Sequence, residues 1–393
     1  MRPRQAARMD AIPFSGIRAI FEAASQLEAN GEKVVHLEIG RPDFDTPAHV
    51  KRAAHDALET GQVHYTSNYG SPALTAAIAA KLQRDNGLTY DPKGEICVTV
   101  GANESVMLAM MAFLDPGDEI LIPDPNWLHY FYCAQLAGAV PVSVPLREAE
   151  GFKLTSAAIA ERITPRTRML CIGSPHNPTG AVLDEAEQAA IAELVEKHDL
   201  LVVSDEIYEY MVYGGEKHVS FAALPGMWPR TLTVNGFSKA YAMDGWRLGY
   251  VAAPRELMSA LIRVHQYTTI CATSFAQAGA VEAYNGPQEC VAEMTAEFDR
   301  RRRLIVDTLN AMPGVSCVEP RGAFYVFPSI AGVGLSSDDF ALRLLKEANV
   351  ATVPGSAFGE YGEGYVRMAY STGYDDIALG MDRMRAWIEG LRQ

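Results

Sequence analysis

Apolar residues recur along this chain at two different periods, and the switching between them predicts the elements. Residues 16–30 (GIRAIFEAASQLEAN) carry the helical spacing and stop at Gly31, and VVHLEIG then reads as a strand broken by Gly40-Arg41-Pro42-Asp43. From about residue 47, helical stretches alternate with short, wholly apolar strands. The helices are expected at 72–84, from about 103, at 128–137 and at 184–198; the strands at 95–100, 119–123, 140–145, 168–173, 200–206, 231–237 and 247–253. Strands without a polar face must be covered on both sides, so the pattern predicts a mostly parallel sheet between two helical layers. After a long helical stretch around 288–311 the texture changes. GVSCVEP, GAFYVFPSI, VATVPGSAF and GYVRMAYS read as clustered strands, interleaved with a helix at 337–348 and closed by a terminal helix. The fold expected is therefore α/β: a large domain over 47–287, and a smaller α+β domain built from 1–46 and 288–393, with no Pro/Gly/Ser linker between them.

Composition narrows the partners. A formal charge of −14 over 393 residues repels nucleic-acid backbones and anionic membranes, and no run reaches the roughly 18 apolar residues of a membrane span. The basic start MRPRQAARMDAIPF lacks the apolar stretch of a secretory signal. Six cysteines without a C-x-x-C pair or a neighbouring His imply a reducing cytoplasm and no metal.

Ligands of such sheets bind beyond the carboxyl ends of the strands, and four strand ends carry unusual residues. VGANES (100–105) runs from a strand through Gly101 into a helix, where free N–H groups suit a phosphate, with Asn103 or Ser105 as added donors; an ordinary helix cap has the same pattern. SPHNPTG (174–180) fixes Asn177 in a rigid turn. Asp205 ends LLVV, and a buried carboxylate costs several kcal/mol without a cationic or hydrogen-bonding partner. Glu206 is expected to face away, whereas Tyr208 can share the crevice with Asp205. Lys239 follows an apolar strand among Phe237, Ala240 and Tyr241, surroundings that depress an amine's pKa and make it nucleophilic; Arg247 is suited to grip a phosphate. An imine-forming amine, a phosphate gripper, a buried carboxylate and a fixed amide together suit a pyridine-aldehyde phosphate, pyridoxal 5′-phosphate (PLP).

With these residues in view, the chain resembles the fold-type I PLP-dependent aminotransferases of class I/II, particularly the bacterial aspartate and aromatic branch. The likeness runs from about residue 12 to the C-terminus through GRPDFDTP (40–47), YTSNYGSPAL (65–74), PGDEILIPDPNW (116–127), SPHNPTG, DEIYEYMVY, SKAYAMDGWRLGY, GAFYVF (322–327) and VPGSAFGEYGEGYVRMAYS (353–371). The resemblance implies roles. Lys239 would form the Schiff base and then shuttle a proton; Asp205 would hold the pyridinium nitrogen; Tyr208 and Asn177 would bond the phenolic oxygen; Trp127 would stack on the ring. Arg247, Ser238 and the Gly101, Ala102, Asn103 turn would hold the phosphate, joined by Tyr65 from a second copy in a homodimer with shared sites. Arg367 would clamp the substrate carboxylate, with Gly40 and Asn177 against the substrate. Two departures stand out. Gly236 occupies a position that often carries a hydroxyl for the phosphate, with Ser238 or Asn103 able to compensate, and Asn103 stands where some aspartate-using members have a lysine, which favours a neutral or aromatic amino acid over aspartate unless Arg18 or an arginine of the partner chain substitutes. The activity implied is ping-pong transfer of an amino group from an L-amino acid to a 2-oxo acid. Lyases, synthases and racemases share the same cofactor residues, and a PLP-sensing regulator would need a DNA-binding module for which the short N-terminal tail leaves little room.

Overall fold

The computed structural model describes residues 5–14 and 16–392, so residues 1–4, 15 and 393 of the expected terminal regions lie outside the described residues. In chain order the strands are β1 (Val35–His36), β2 (Ile96–Thr99), β3 (Glu119–Asp124), β4 (Val140–Pro145), β5 (Thr167–Gly173), β6 (Leu201–Asp205), β7 (Thr231–Gly236), β8 (Gly249–Ala252), β9 (Tyr325–Val326), β10 (Val350–Ala351), β11 (Val353–Pro354) and β12 (Val366–Ala369). Seven of them form one sheet in the order β2-β8-β7-β6-β5-β3-β4, with only β8 antiparallel to its neighbours.

The period of two that makes these strands apolar on both faces is what builds the layers. Cys97, Ile120, Ile122, Cys171 and Val203 face the helices Ala102–Phe113, His129–Ala137 and Arg255–Thr268. Their sequence neighbours face the other way. Ile96 and Val98 pack on Pro72–Asn86 and Ser274–Asn285, and Leu121, Leu170 and Val202 pack on Glu185–Lys197. The helix Pro72–Asn86 starts on a Ser71 side chain that accepts the Leu74 N–H and ends on Gly87 at φ 67°, the left-handed stop that glycine adopts without strain.

A second cluster of strands belongs to the C-terminal third: β11-β12-β9 is antiparallel, and β1 pairs parallel with β10. Phe298, Phe324, Phe340, Leu344, Met368 and Met381 form its core together with Val35 and Leu37 from the N-terminal segment. The segment 314–320, expected as a strand, makes a single bridge from Ser316 to Ser329. Its backbone is taken by a side chain instead. Asn310 Nδ2 donates to the Cys317 carbonyl at 3.1 Å, and Asn310 Oδ1 accepts the Cys317 N–H at 2.8 Å, which replaces the ladder bonds a strand needs.

Because β2, β3, β5, β6 and β7 point the same way, the turns after Thr99, Asp124, Gly173, Asp205 and Gly236 gather along one edge of the sheet. All four of the unusual strand ends lie there.

Candidate active site

These turns enclose a cavity of about 590 Å³ lined by Gly40, Ala102, Asn103, Trp127, Asn177, Asp205, Tyr208, Ser238, Lys239, Arg247 and Arg367, among others. Lys239 Nζ donates to the Gly40 carbonyl at 2.7 Å and lies 5.5 Å from the Phe324 ring centre and 5.8 Å from that of Tyr208. Burial pushes its pKa down to about 8, with Arg367 and Arg247 acting in the same direction against the pull of Asp244 and Asp205. The amine is thus kept close to its nucleophilic form. Gly40 has no room for a side chain, since a Cβ there would stand 2.0 Å from the Tyr325 hydroxyl.

Asp205 is buried at the end of β6. Its Oδ2 accepts from the Tyr130 hydroxyl and its Oδ1 from the Ile207 N–H at 3.1 Å. Burial raises its pKa and these hydrogen bonds oppose the rise, so a cation arriving in the cavity would find a carboxylate with a strong call for charge. Glu206 faces away as the alternation requires, accepting from Ser204, Ser220 and His218. The Tyr208 hydroxyl pairs with that of Tyr325 at 2.8 Å.

Arg247 adopts the left-handed conformation (φ 54°) and donates to the Asp244 carbonyl at 2.8 Å. Its guanidinium lies over Gly101, where a Cβ would come within 2.5 Å of Nη2; Gly101 itself sits at φ 79°. The helix Ala102–Phe113 starts there without a side-chain cap, leaving its positive end toward the cavity. Gly236 also has a steric reason, because a Cβ would meet the Gly249 Cα and the Leu248 carbonyl, each at 3.0 Å. A side chain at that position requires the Gly249 backbone to give by a few tenths of an ångström.

Arg367 on β12 is buried and aimed by two acceptors, the Glu38 carbonyl at 2.6 Å and Asn177 Oδ1 at 3.2 Å, while its Nε has no partner. Burial lowers its pKa from the usual guanidinium value. Behind it, Glu38 is fully buried and binds His36 Nδ1 at 2.8 Å. That hydrogen bond, opposed by burial and helped by the charges of Glu38 and Glu28, raises His36 to about 9. The sign follows from linkage: a cation favoured in the folded state stabilises fully below the unfolded pKa near 6.5 and ceases to do so as pH rises through about 9. The Tm advantage of the wild type over His36→Gln is therefore expected to be largest below pH 6.5, to fall as pH rises and to vanish by pH 10. A difference independent of pH would contradict this.

Of the residues to which the resemblance gives roles, all but two line this cavity, while Ser105, offered as a phosphate donor, is buried and paired with the Thr99 hydroxyl at 2.8 Å. Gly101 borders it beneath Arg247, and Tyr65 lies outside, 83% exposed, beside Gln62, His64 and Thr66. Sequence reasoning missed Tyr130, which bonds Asp205; Tyr325, which bonds Tyr208; and His129, whose ring stacks on Trp127 at 4.8 Å. Tyr325 stands within GAFYVF, a segment that pointed to the family but not to this contact. Tyr130 and His129 sit in a helical stretch with no signal of their own.

A nucleophilic lysine, a buried carboxylate and two arginines converging on one cavity in an α/β fold define an enzyme. The family description "Aminotransferase class I and II" matches residues 32–379, and the chain belongs to that family. It is 44% identical over 379 residues to aromatic-amino-acid aminotransferase 2 of Thermococcus litoralis and 45% identical over 379 residues to aspartate aminotransferase of Pyrococcus abyssi, with 96% of each chain covered in both cases. Among solved structures it is similar to the aromatic aminotransferase of Pyrococcus horikoshii, with a TM-score of 0.90 at 45% identity, covering 94% of this chain and 99% of that one. The chain is an aminotransferase, transferring an amino group between an amino acid and a 2-oxo acid. No described helix is long and apolar enough to cross a membrane.

Proposed function

We propose that this aminotransferase works through pyridoxal 5′-phosphate bound in the cavity, with Lys239 as its covalent anchor. The observation that carries the reading is Lys239 itself, an amine brought to a pKa of about 8 in the same cavity as the buried Asp205 and the Arg247–Gly101 contact. The donor set fits the group: Asp205 for the ring nitrogen, Asn177 and Tyr208 for the phenolic oxygen, Trp127 for the ring face, and Arg247, Ser238, Gly101, Ala102 and Asn103 for the phosphate. When bound, PLP supplies an electron sink for the charge left on the substrate Cα. Arg367 binds the substrate carboxylate and orients the Cα proton toward Lys239. Lys239 Nζ, once released from the cofactor, would be the group that takes that proton and returns it. Tyr325 holds Tyr208 in place, and Tyr130 does the same for Asp205.

For the amino donor we favour a neutral or aromatic amino acid. Ile17, Phe21 and Ile39 line the cavity and Asn103 brings no charge; Arg18 also lines it, in an exposed pair with Glu22 at 3.2 Å that contributes little. The test is a single-turnover absorbance assay in which phenylalanine, tyrosine, alanine and aspartate each convert the aldehyde form to the amine form, with 2-oxoglutarate reversing it. Aspartate converting at least as fast as the aromatic donors would overturn the preference, and no conversion with any amino acid would overturn the cofactor reading.

We also propose a homodimer in which Tyr65 reaches the partner's phosphate site. Tyr65, Val63, Tyr267 and Ile270 are exposed apolar side chains, as expected of a surface that a second copy covers. Sedimentation is expected to give a dimer, and a fully active monomer would refute the placement. The division into a body over 47–287 and a second over 1–46 with 288–393 is supported by a core around Phe298 and Phe340 drawn mainly from the second, with Tyr208, Met211 and Tyr213 joining it from the first. The six unpaired cysteines favour the cytoplasm, which cell fractionation tests.

A further inference from the structure

The turn after β2 is gripped from two sides by residues that the transfer reaction does not use. Glu104, in the first turn of the helix Ala102–Phe113, accepts the Val100 N–H on Oε2 at 2.6 Å. Its Oε1 accepts the Thr269 hydroxyl at 2.6 Å and the Thr268 hydroxyl at 3.2 Å, and meets Nδ1 of the fully buried His265 at 3.1 Å. On the other side, His129 Nε2 donates to the Asn103 carbonyl at 3.0 Å, while its ring lies against Trp127 with 24° between the planes. Between the two anchors lie Gly101, Ala102 and Asn103.

We propose that Glu104 and His129 are positioning residues that preset the 100–103 turn as the phosphate cradle. The inference rests on the cofactor reading above. Charge alone would give the opposite sign for Glu104. A carboxylate one residue from a site for a doubly charged anion repels it, so removing the charge would tighten binding. A carboxylate holding a backbone N–H and two hydroxyls instead fixes the turn before the anion arrives, and removing it would leave those donors without an acceptor and the turn free to move. The geometry favours the second account. Glu104 spends both oxygens on protein donors, one of them the backbone N–H immediately before Gly101, and ties them to the end of the helix Arg255–Thr268. His129 fixes the far end of the same turn and couples it to the aromatic platform.

The test compares two probes, PLP and unphosphorylated pyridoxal, titrated into the full-length apoenzyme. The readout is the Kd of pyridoxal divided by that of PLP, with far-UV circular dichroism and Tm as controls for folding. E104Q is expected to weaken PLP and leave pyridoxal nearly unchanged, lowering the ratio about tenfold. H129F keeps a ring against Trp127 and removes the donor, and is expected to lower the ratio about threefold. A ratio that is unchanged or raised in folded E104Q overturns the proposal, and so does equal weakening of both probes, which is what a merely structural role would give. If E104Q does not fold, H129F decides, and an unchanged ratio there overturns it. A wild type that does not distinguish PLP from pyridoxal overturns the phosphate site itself, and this inference with it.

Discussion

Lys239→Ala is expected to lower the rate of amino-group transfer by about 10⁴-fold, the upper range for loss of a positioned acid–base group. The expectation rests on the position of Nζ, 2.7 Å from the Gly40 carbonyl, and on a pKa of about 8, which leaves the amine about half unprotonated near that pH. Alanine removes both the covalent anchor and the proton carrier, but leaves Asp205, Arg247 and the 100–103 turn. The variant is therefore expected to bind PLP without transferring the amino group. Lys239→Arg separates charge from proton transfer, because a guanidinium keeps the cation and cannot release its proton near neutral pH. It is expected to be as inactive as the alanine variant. Single-turnover absorbance with an amino acid donor measures both, and full turnover in either would remove Lys239 from the centre of the mechanism.

The second large effect is expected at Arg367. Arg367→Leu should reduce kcat/KM about a thousandfold, the scale set by losing one partner of a desolvated, charge-assisted pair. The side chain is aimed by the Glu38 carbonyl and Asn177 Oδ1, is flanked by the Tyr325 and Phe358 rings at 4.6 and 4.8 Å, and keeps Nε without a protein partner. These constraints hold the guanidinium plane fixed and leave donors for a substrate carboxylate. Arg367→Lys retains charge without the planar fork and is expected to lose about a hundredfold. The measurement that isolates the role is the same half-reaction run with an amine lacking a carboxylate, for which wild type and variants should differ little. If Arg367→Leu slows both substrates equally, the residue supports the fold and does not bind the carboxylate.

The legibility of this site varied with how much of its chemistry is local in the chain. Lys239, Asp205 and Asn177 follow the carboxyl ends of apolar strands, so their exposure to a common crevice follows from strand direction alone, whereas Arg247 stands before β8 and reaches the crevice because β8 runs antiparallel. Tyr130 and Tyr325 could not be found in that way. Tyr130 reaches Asp205 across 75 positions and Tyr325 reaches Tyr208 across 117, and no spacing rule connects residues that distant. Gly236 reads in the sequence as a missing phosphate donor. In the fold it is also a point of close packing, because a Cβ there would stand 3.0 Å from the Cα of Gly249, its partner on the neighbouring antiparallel strand. The segment 314–320 has the apolar content of a strand, but Asn310 satisfies the backbone groups of Cys317 first.

What the sequence determined by itself is the layered α/β sheet and the identity of the groups at its strand ends. Apolar periodicity is a property of neighbouring residues, and a run apolar on both faces has to be covered on both. What only the tertiary structure decided is how those groups are tuned: the burial that lowers Lys239 and raises Asp205, the carbonyl and amide that aim Arg367, and the two clamps on the turn at Gly101. Each depends on the distance between segments far apart in the chain, and pKa and hydrogen-bond geometry are set by that distance and by the exclusion of water.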